Sequence, residues 1–328
     1  MHPKDIIVIG ASAGGIEALS SIAAGLPPGF EGSIFVVVHT SADSPGVLDS
    51  ILDRAGPLPA RMATDGEKIA KGTIYVAPPD RHLILEPGRT CIGNGPKENR
   101  FRPAIDPLFR SAAQVYGPRA VGVILTGHLD DGTAGMAAIR SLGGTVVVQD
   151  PREALVPSMP ESVIRRIEVD YLLPLGEIAP LLVSLASSTV EENELAVPDD
   201  LEREIRIAKG ENALEAGVLS LGEPTLFSCP ECRGVLLRVN QEGPVRFRCH
   251  TGHAYTLDSR LAETELDIEA ALWNAVRAIE ERALLLHHAA DHVPPGSNGT
   301  QSEALRRRAD ATSRRAELVR QLVAAGKQ

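Results

Sequence analysis

Short apolar runs alternate with longer Ala-rich stretches through the first half of the chain. The runs are rich in β-branched residues and read DIIVIG, SIFVVVH, GTIYVAPP, AVGVILTG and GTVVVQD. Strands that are buried on both faces of a parallel sheet have this continuous pattern, and the stretches between several of them are long enough for helical crossovers. We therefore predict an α/β fold from residue 5 to about 185: a doubly wound, mostly parallel sheet with helices on both faces.

This alternation stops near residue 188. The stretch TVEENELAVPDD is acidic and weakly apolar, so we predict a linker with one short helix over residues 188–224. Residues 225–256 contain three of the four cysteines and two strand-like runs, GVLLRV and PVRFRC. We expect them to form a small module of their own.

Beyond the cysteines, apolar residues recur at steps of four and three in two stretches. The two seams are Leu272, Val276, Ile279, Ala283, Leu286 and Ala290, then Leu305, Ala309, Thr312, Ala316, Val319 and Val323, separated by VPPGSNGT. This is the heptad spacing of paired helices, and two helices joined by a short loop normally pack on each other. We predict a helical hairpin over residues 257–328, with its seams packed together rather than on an external coiled coil.

The charge balance narrows the classes of partner. The chain has 33 Lys and Arg against 43 Asp and Glu, a net charge of −10, which disfavours nucleic acid and anionic membranes. The first apolar run is short, ends at glycine and lacks the cationic start of a signal peptide, and no apolar stretch approaches the ~20 residues of a membrane span. We expect a cytoplasmic protein without membrane insertion that acts on a protein or a small molecule.

The first predicted strand runs into GASAG at residues 10–14, which matches the pattern G-x-S-x-G. A sharp turn from strand to helix pushes such a serine out at the carboxyl edge of the sheet, and amide hydrogens at the helix start face the same space. The competing interpretation is a dinucleotide-binding turn, but Ser12 occupies the position of its second glycine, where a side chain would meet the pyrophosphate. We therefore predict Ser12 as a nucleophile.

A serine nucleophile needs a base and a carboxylate that orients the base. His39 ends the next predicted strand, so its side chain should emerge at the same sheet edge as Ser12. Asp130 and Asp131 lie in a Gly-bounded loop after the strand AVGVILTG, although aspartates there also cap helices. Three strand ends that offer Ser, His and Asp favour a catalytic triad, with either aspartate as its third member.

An ordered series of segments resembles the catalytic domain of the chemoreceptor protein-glutamate methylesterases, the CheB-type family. The segments read VIGASAGGIEAL, VVVH, GTIYVAPPDRHL, RPAIDPLFRSAA, VGVILTGHLDDGTAGM and VVVQDPREALVPSMPESVI. They cover residues 4 to about 187. The resemblance therefore assigns residues 1–187 to a methylesterase domain.

The resemblance implies a triad of Ser12, His39 and Asp131, and an oxyanion hole that uses the backbone amides of Ala13 and His128. It implies hydrolysis of glutamyl methyl esters with release of methanol, and no cofactor for catalysis. The implied partner is the helical cytoplasmic region of a methylated chemoreceptor-type protein. Glutamine deamidation is expected as a related activity, because an amide and a methyl ester pass through similar tetrahedral intermediates.

The sequence departs from the family pattern at two positions in this site. Ala13 stands where many relatives have Thr or Ser, and His128 where the family often has Met. Both substitutions keep the backbone amide, so we expect activity to change only in degree. Well-known members also carry an N-terminal receiver domain, whereas this chain starts at the first esterase strand, so regulation by phosphorylation in cis is not expected.

Three cysteines and a histidine have the spacing of a zinc ribbon. FSCPECRG and FRCHTGHAY give Cys229-x2-Cys232 and, after a gap, Cys249-x3-His253. Three thiolates and one imidazole on two tight turns favour tetrahedral zinc, and a site filled by four protein ligands is structural rather than catalytic. His250 is an alternative fourth ligand, but the spacing favours His253. Reduced, metal-free cysteines are the other interpretation.

Two classes of function therefore compete at this point. The first is a serine-type protein-glutamate methylesterase that works in chemotaxis or a related signalling system. The second is a non-catalytic signalling scaffold, in which the esterase fold binds a receptor and the zinc module and hairpin bind a further protein partner. The combined presence of Ser12, His39 and Asp131 favours the enzyme.

Overall fold

The computed structural model describes residues 2–191, 195–240, 243–293 and 300–325. The chain divides into two compact units, Met1–Arg260 and Leu261–Gln328. The strands are β1 (His2–Pro3), β2 (Ile6–Ala11), β3 (Ser33–Val38), β4 (Ala60–Met62), β5 (Thr73–Val76), β6 (His82–Glu86), β7 (Arg89–Gly93), β8 (Ala120–Ile124), β9 (Thr145–Gln149), β10 (Tyr171–Leu173), β11 (Thr189–Val190), β12 (Gly222–Ser228), β13 (Val235–Val239), β14 (Arg246–Cys249) and β15 (Ala254–Thr256). The α-helices are α1 (Gly15–Gly25), α2 (Leu48–Ala55), α3 (Ile105–Tyr116), α4 (Thr133–Ser141), α5 (Ser158–Arg166), α6 (Leu175–Ser187), α7 (Asp199–Lys209), α8 (Leu257–Asp291) and α9 (Thr300–Ala325).

Seven parallel strands form the main sheet, in the order β10-β9-β8-β2-β3-β5-β4. The five apolar runs became β2, β3, β5, β8 and β9, which confirms the predicted doubly wound α/β fold. The pattern missed β4 and β10, which are three-residue strands at the two edges of the sheet and are partly exposed. With β3 on one side of β2 and β8 on the other, the strand order reverses at β2, and such switch points form a crevice at the carboxyl edge.

Alternate residues of the central strands face opposite sides of the sheet. On one face Ile6 and Val8 belong to a core that includes residues of α3, α4, α5 and α7. On the other face Ile7 and Ile9 belong to a core that includes residues of α1, α2 and α6. These two layers hold the strand ends of the sheet in fixed positions.

The predicted linker over residues 188–224 contains helix α7. Leu201, Ile205 and Ala208 of α7 are buried in the same core as α3, so this helix packs on the sheet domain. The linker prediction rested on the acidic, weakly apolar composition of the stretch that leads into this helix. The boundaries at 187 and 224 stay predictions, and the first compact unit runs on to Arg260.

The four-stranded antiparallel sheet β12-β13-β14-β15 forms the cysteine-containing module. Its strands β13 and β14 are the two predicted runs, whereas β12 and β15 were not predicted. Arg248 in β14 is fully buried and pairs with Glu98 at 3.0 Å and with Glu204 of α7 at 3.2 Å. Glu98 also pairs with Arg110 of α3 at 2.6 Å. Breaking such a buried pair costs about 3–5 kcal/mol, so this network ties the module to the sheet domain.

The second compact unit consists of most of α8 and of α9, as the heptad spacing predicts. The seam residues Val276, Ala283, Ala309 and Ala316 are buried. Ser302 donates a hydrogen bond to the backbone oxygen of Ala290 at 2.8 Å. The predicted loop falls largely on residues 294–299, outside the described residues. Among the helices that the structure describes, none is both long and apolar enough to cross a membrane.

Candidate active site and metal cluster

Ser12 lies in a tight turn between β2 and α1. Its amide donates to the backbone oxygen of Thr126 at 3.0 Å, and its own backbone oxygen accepts from Gly15 at 2.9 Å. Gly14 has a φ of +76°, a left-handed conformation that favours glycine and lets the chain reverse into the helix. The glycine-rich sequence therefore forms the strand-turn-helix that a nucleophilic serine requires.

Gly127 allows the loop after β8 to approach this turn closely. A Cβ atom at Gly127 would lie 2.8 Å from Cβ of Ser12 and 2.1 Å from the sulfur of Met159. A hydrogen bond also joins the two segments: the hydroxyl of Thr126 donates to the backbone oxygen of Ala13 at 2.9 Å. The nucleophile turn and the β8 loop are thus packed on each other without space for a side chain.

His39 follows β3, the neighbour of β2, and its amide donates to the backbone oxygen of Ala11 at 3.3 Å. The imidazole is only 2% exposed and stacks on the ring of Phe101, with centroids 3.8 Å apart and planes 3° from parallel. Its Nε2 lies 2.7 Å from Oδ2 of Asp131. The ring is therefore held on one face by Phe101 and on one edge by the carboxylate.

Asp131 accepts several hydrogen bonds besides the one from His39. At the start of α3 the amide of Ile105 donates to Oδ2 at 2.7 Å, and on the other side the side-chain amide of Asn99 donates to Oδ1 at 2.8 Å. The amide of Gly132 donates to Oδ1 at 2.9 Å. Burial raises the pKa of Asp131, but the hydrogen bonds from His39, Ile105 and Asn99 outweigh it and hold the pKa below its usual value.

This ionisation state fixes the arrangement of protons on His39. An ionised carboxylate accepts only, so the hydrogen on the His39 ring is assigned to Nε2 and the lone pair to Nδ1. Nδ1 is buried and has no hydrogen-bond partner among the described residues. The arrangement leaves a basic nitrogen free for a proton from a neighbouring group.

Within the described residues, Ser12 Oγ makes no hydrogen bond to the imidazole. The two residues nevertheless follow paired positions of adjacent strands, since Ala11 is in register with Val38. Catalytic hydrogen bonds are often long without substrate and tighten when the substrate binds. The structure thus brings His39 and Asp131 into direct contact and places Ser12 at the adjacent strand end.

Asp130, the other aspartate of the loop, contacts Thr256 rather than His39. Its Oδ1 accepts a hydrogen bond from the hydroxyl of Thr256 at 2.6 Å, and its Oδ2 is buried without a partner. Burial raises the pKa of Asp130 to about 6. Of the two aspartates that the spacing left open, only Asp131 contacts the imidazole.

Of the two amides predicted for the oxyanion hole, one lies in the nucleophile turn and the other in the loop after β8. Ala13 follows Ser12 directly, and His128 follows Gly127, which packs against Ser12. Among the described residues, neither amide donates a hydrogen bond to a protein acceptor. Ala13 is half-buried and the residue His128 is exposed, so both amides remain available to a bound ligand.

Three further residues of the site were not predicted from the sequence: Asn99, Phe101 and Thr126. Phe101 and Asn99 lie in ENRFRPAID, a segment without a strand or helix pattern, and Thr126 reads as the end of a strand. The positive φ of Asn99, +49°, follows the preference of asparagine for left-handed turns. That preference is the one sequence signal that could have drawn attention to Asn99.

The structure brings Cys229, Cys232, Cys249 and His253 together, with their four donor atoms all within 4.8 Å of one another. The sulfurs of Cys232 and Cys249 are 3.6 Å apart, and Nδ1 of His253 lies 3.5 Å from Cys249 Sγ. Tetrahedral zinc with bonds of about 2.3 Å to sulfur and 2.0 Å to nitrogen requires separations of roughly 3.8 and 3.5 Å. The donor set therefore fits a zinc ion.

His250, the alternative fourth ligand, is not part of this cluster. The ring of His250 lies against Gly234 instead, where an added Cβ would be 2.3 Å from it.

The sequence matches the family model described as "CheB methylesterase" over residues 7–182. The chain is similar to a protein of Leptospira interrogans named "Putative protein-glutamate methylesterase/protein-glutamine glutaminase", with 41% identity over 57% of this chain and 98% of that protein. It is 40% identical, over 55% of this chain and 52% of the relative, to protein-glutamate methylesterase/protein-glutamine glutaminase 4 of Anaeromyxobacter dehalogenans.

A solved structure is similar over the same part of the chain. The CheB methylesterase catalytic domain of Thermotoga maritima is 37% identical, with a TM-score of 0.53, over 55% of this chain and 98% of that one. These similarities cover the sheet domain. Residues beyond it, including the cysteine cluster and the hairpin, lie outside the matched region.

Proposed function

Because this chain belongs to the CheB methylesterase family, we propose that it is a protein-glutamate methylesterase that removes methyl groups from glutamyl methyl esters and releases methanol. The observation that carries this proposal is the 2.7 Å contact between His39 and Asp131 at the sheet edge where Ser12 begins the neighbouring turn. A buried, carboxylate-bound imidazole beside a serine is the arrangement that acyl transfer needs.

In the proposed reaction, Ser12 Oγ attacks the ester carbonyl while Nδ1 of His39 takes the hydroxyl proton. The oxygen of the tetrahedral intermediate takes the negative charge and accepts hydrogen bonds from the amides of Ala13 and His128. As the carbonyl re-forms, the bond to the methoxy oxygen breaks and His39 returns the proton to it, so methanol leaves. Water then hydrolyses the acyl-enzyme by the same steps and restores Ser12.

Asp131 has two tasks in this scheme. It orients the imidazole with Nε2–H toward itself, and its negative charge stabilises the imidazolium formed during each proton transfer. The pKa of Asp131, which its hydrogen bonds hold below the usual value, keeps the carboxylate ionised at neutral pH. The buried stacking of His39 on Phe101 prevents the ring from rotating away.

Glutamine deamidation is proposed as a second reaction of the same site. The names of the Leptospira and Anaeromyxobacter relatives include glutaminase activity. The same steps release ammonia instead of methanol when the leaving group is an amide nitrogen that receives the proton from His39. No additional residue is needed.

The proposed substrate is the helical cytoplasmic region of a methylated chemoreceptor-type protein. Exposed apolar side chains flank the nucleophile: Leu155 is 75% exposed and packs over Gly14, and Ile16 in the first turn of α1 is 40% exposed. Such residues suit contact with an amphipathic helix that presents a methylated glutamate. A protein partner of the C-terminal hairpin stays a prediction.

We further propose that Cys229, Cys232, Cys249 and His253 bind a structural zinc ion. All four ligands come from the protein, so no position is left for substrate or water. The ion would fix the turns at the ends of β12 and β14. It would take no part in the chemical steps.

Methanol release from a methyl-labelled receptor fragment tests the function. We expect release by the wild-type protein and by Ser20→Ala, a serine of α1 whose hydroxyl donates to the backbone oxygen of Ile16. Ser12→Ala should fold and release methanol several orders of magnitude more slowly. Equal release by Ser12→Ala would contradict the assignment. Receptor binding without release by the wild type would favour the scaffold.

A further inference from the structure

The strand that directly follows the cysteine cluster reaches the active site. Ala254 in β15 comes immediately after His253, and β15 lies along residues 97–99. The amide of Ala254 donates to the backbone oxygen of Lys97 at 3.3 Å, and the amide of Asn99 donates to that of Ala254 at 2.8 Å. The cysteine module therefore contacts the segment that carries Asn99.

The side chain of Asn99 is buried and bridges β15 to the catalytic carboxylate. Its Oδ1 accepts from the amide of Thr256 at 3.0 Å and from the hydroxyl of Ser259 at 3.3 Å. Its Nδ2 donates to Asp131 at 2.8 Å and to Asp106 at 3.0 Å. Every position of the side-chain amide is thus matched, donor to acceptor.

These partners also decide which way the amide faces. If the amide were flipped, its NH2 group would face the N–H of Thr256 and its oxygen would face two carboxylates. That arrangement loses at least the hydrogen bonds with the N–H of Thr256 and with Asp131 in a buried site, at about 1–3 kcal/mol for each group left unsatisfied. The N–H of Thr256 therefore aims the Asn99 donor at Asp131.

A second contact from the same strand holds the neighbouring residue of the loop. The hydroxyl of Thr256 donates to Asp130 at 2.6 Å and accepts from the amide of Ser259 at 3.1 Å. Arg248 of β14 joins the cluster turn to the sheet domain, since it donates to the backbone oxygen of Gly252 at 2.8 Å and pairs with Glu98. The loop of Asp130 and Asp131 is thus supported from the cysteine module.

We propose that residues 254–259 complete the esterase site: β15, anchored by the cysteine cluster, holds Asn99, and Asn99 positions Asp131 for His39. Asn99 is a positioning residue, because it does not touch the reacting atoms. The chemical link runs from the metal ligand His253 through Thr256 and Asn99 to the catalytic carboxylate. Only the activity measurements that test this inference rest on the proposed esterase function.

Two variants of Asn99 in the full-length protein test the positioning role. Asn99→Gly removes the amide and suits the positive φ, whereas Asn99→Leu keeps the approximate size but offers Asp131 no donor. We expect both to lower kcat about 10–100-fold, the size of effect seen when the outer partner of a metal ligand is lost, with KM unchanged. If only Asn99→Gly loses activity, Asn99 acts merely by filling the space beside β15, and the positioning role is wrong.

A spectroscopic measurement separates this inference from the esterase proposal. The Nε2 proton of His39, shared with Asp131, gives a low-field NMR signal that reports their hydrogen bond without any substrate. We expect both Asn99 variants to shift or broaden it. If the wild type releases no methanol but the signal moves, the esterase proposal fails and the positioning role stands. An unmoved signal with wild-type kcat in both variants overturns the positioning role.

The link to the cluster has its own test. We expect zinc removal by a chelator, or Cys232→Ser, to lower kcat without changing KM and to move the same NMR signal, while added zinc restores the chelated wild type. Cys91→Ser is the matched control, because Cys91 lies outside the cluster in β7. Full kcat and an unchanged signal in the zinc-free, folded protein would remove the cluster from the proposal.

Discussion

Replacement of Asp131 by asparagine should stop catalysis through the protonation of its neighbour rather than through loss of shape. The substitution keeps the volume of the side chain and exchanges one oxygen for an NH2 group. Asparagine can be placed in two ways in this site, and the surrounding donors decide between them. The outcome can therefore be worked out from the hydrogen bonds of Asp131.

If the new NH2 group replaced Oδ1, it would face three donors: the side-chain amide of Asn99 at 2.8 Å and the backbone amides of Gly132 at 2.9 Å and Asp106 at 3.3 Å. If it replaced Oδ2, it would face the amide of Ile105 at 2.7 Å and Nε2 of His39. In the second placement the NH2 group faces one fixed donor, the amide of Ile105, whereas in the first placement it faces three. We therefore expect the NH2 group to face His39.

In that placement the NH2 group donates to Nε2 of His39, and the ring proton moves to Nδ1. Nδ1 is the nitrogen that must accept the proton of Ser12, so the base is blocked in the resting enzyme. A wrong tautomer of this kind lowers kcat by about 10⁴ in serine triads. The unmatched amide of Ile105 should also reduce stability by about 1–3 kcal/mol.

Methanol release and urea unfolding, measured on Asp131→Asn, check both values. Asp65→Asn is the matched control, because Asp65 also accepts a backbone amide, that of Ile92 at 2.9 Å, but lies outside the site. The control should keep the wild-type kcat. A kcat for Asp131→Asn within tenfold of wild type would refute the tautomer argument and the role of Asp131 with it.

Three further predictions follow from close contacts and buried charges. Gly127→Ala should abolish methanol release and destabilise the fold by about 1–3 kcal/mol in urea unfolding, because its Cβ would overlap the sulfur of Met159. Asp130→Asn should make the protein more resistant to urea than the wild type at pH 8, but not at pH 4. Burial raises the pKa of Asp130 to about 6, so the free energy of unfolding of the wild type falls by roughly 3 kcal/mol as the pH rises from 4 through 6. Metal analysis of protein purified without chelator should give about one zinc per chain, and close to none for Cys249→Ser.

Much of the catalytic end of the fold could be predicted because each feature is local in the sequence. A parallel strand buried on both faces is a continuous apolar run, and its last residue must lie at the carboxyl edge of the sheet. This places Ser12 and His39 after adjacent strands with no knowledge of distant contacts. Asp130 and Asp131, by contrast, are neighbours in one loop, and composition alone cannot say which faces the imidazole.

What distinguishes the two aspartates is supplied by residues far away in the sequence. Asp131 faces the start of α3 and Asn99, whereas Asp130 faces Thr256, which is 126 positions along the chain. The same distance hides the buried ion network, since Glu98, Glu204 and Arg248 appear as ordinary charged residues until the fold brings them together. Sequence patterns identify which strand ends meet, but not which buried polar groups complete one another.

The position of the cysteine cluster has a similar consequence for how the extension is understood. The spacing of its four residues predicts a metal site directly, because both halves of the predicted site are short motifs. It says nothing of β15, a three-residue strand without a pattern of its own, which begins where the second motif ends. Since His253 and Thr256 are three residues apart, a turn fixed at His253 restricts where the N–H of Thr256 can point. A module that the sequence separates from the esterase domain is therefore linked, through one buried asparagine, to the carboxylate that contacts His39.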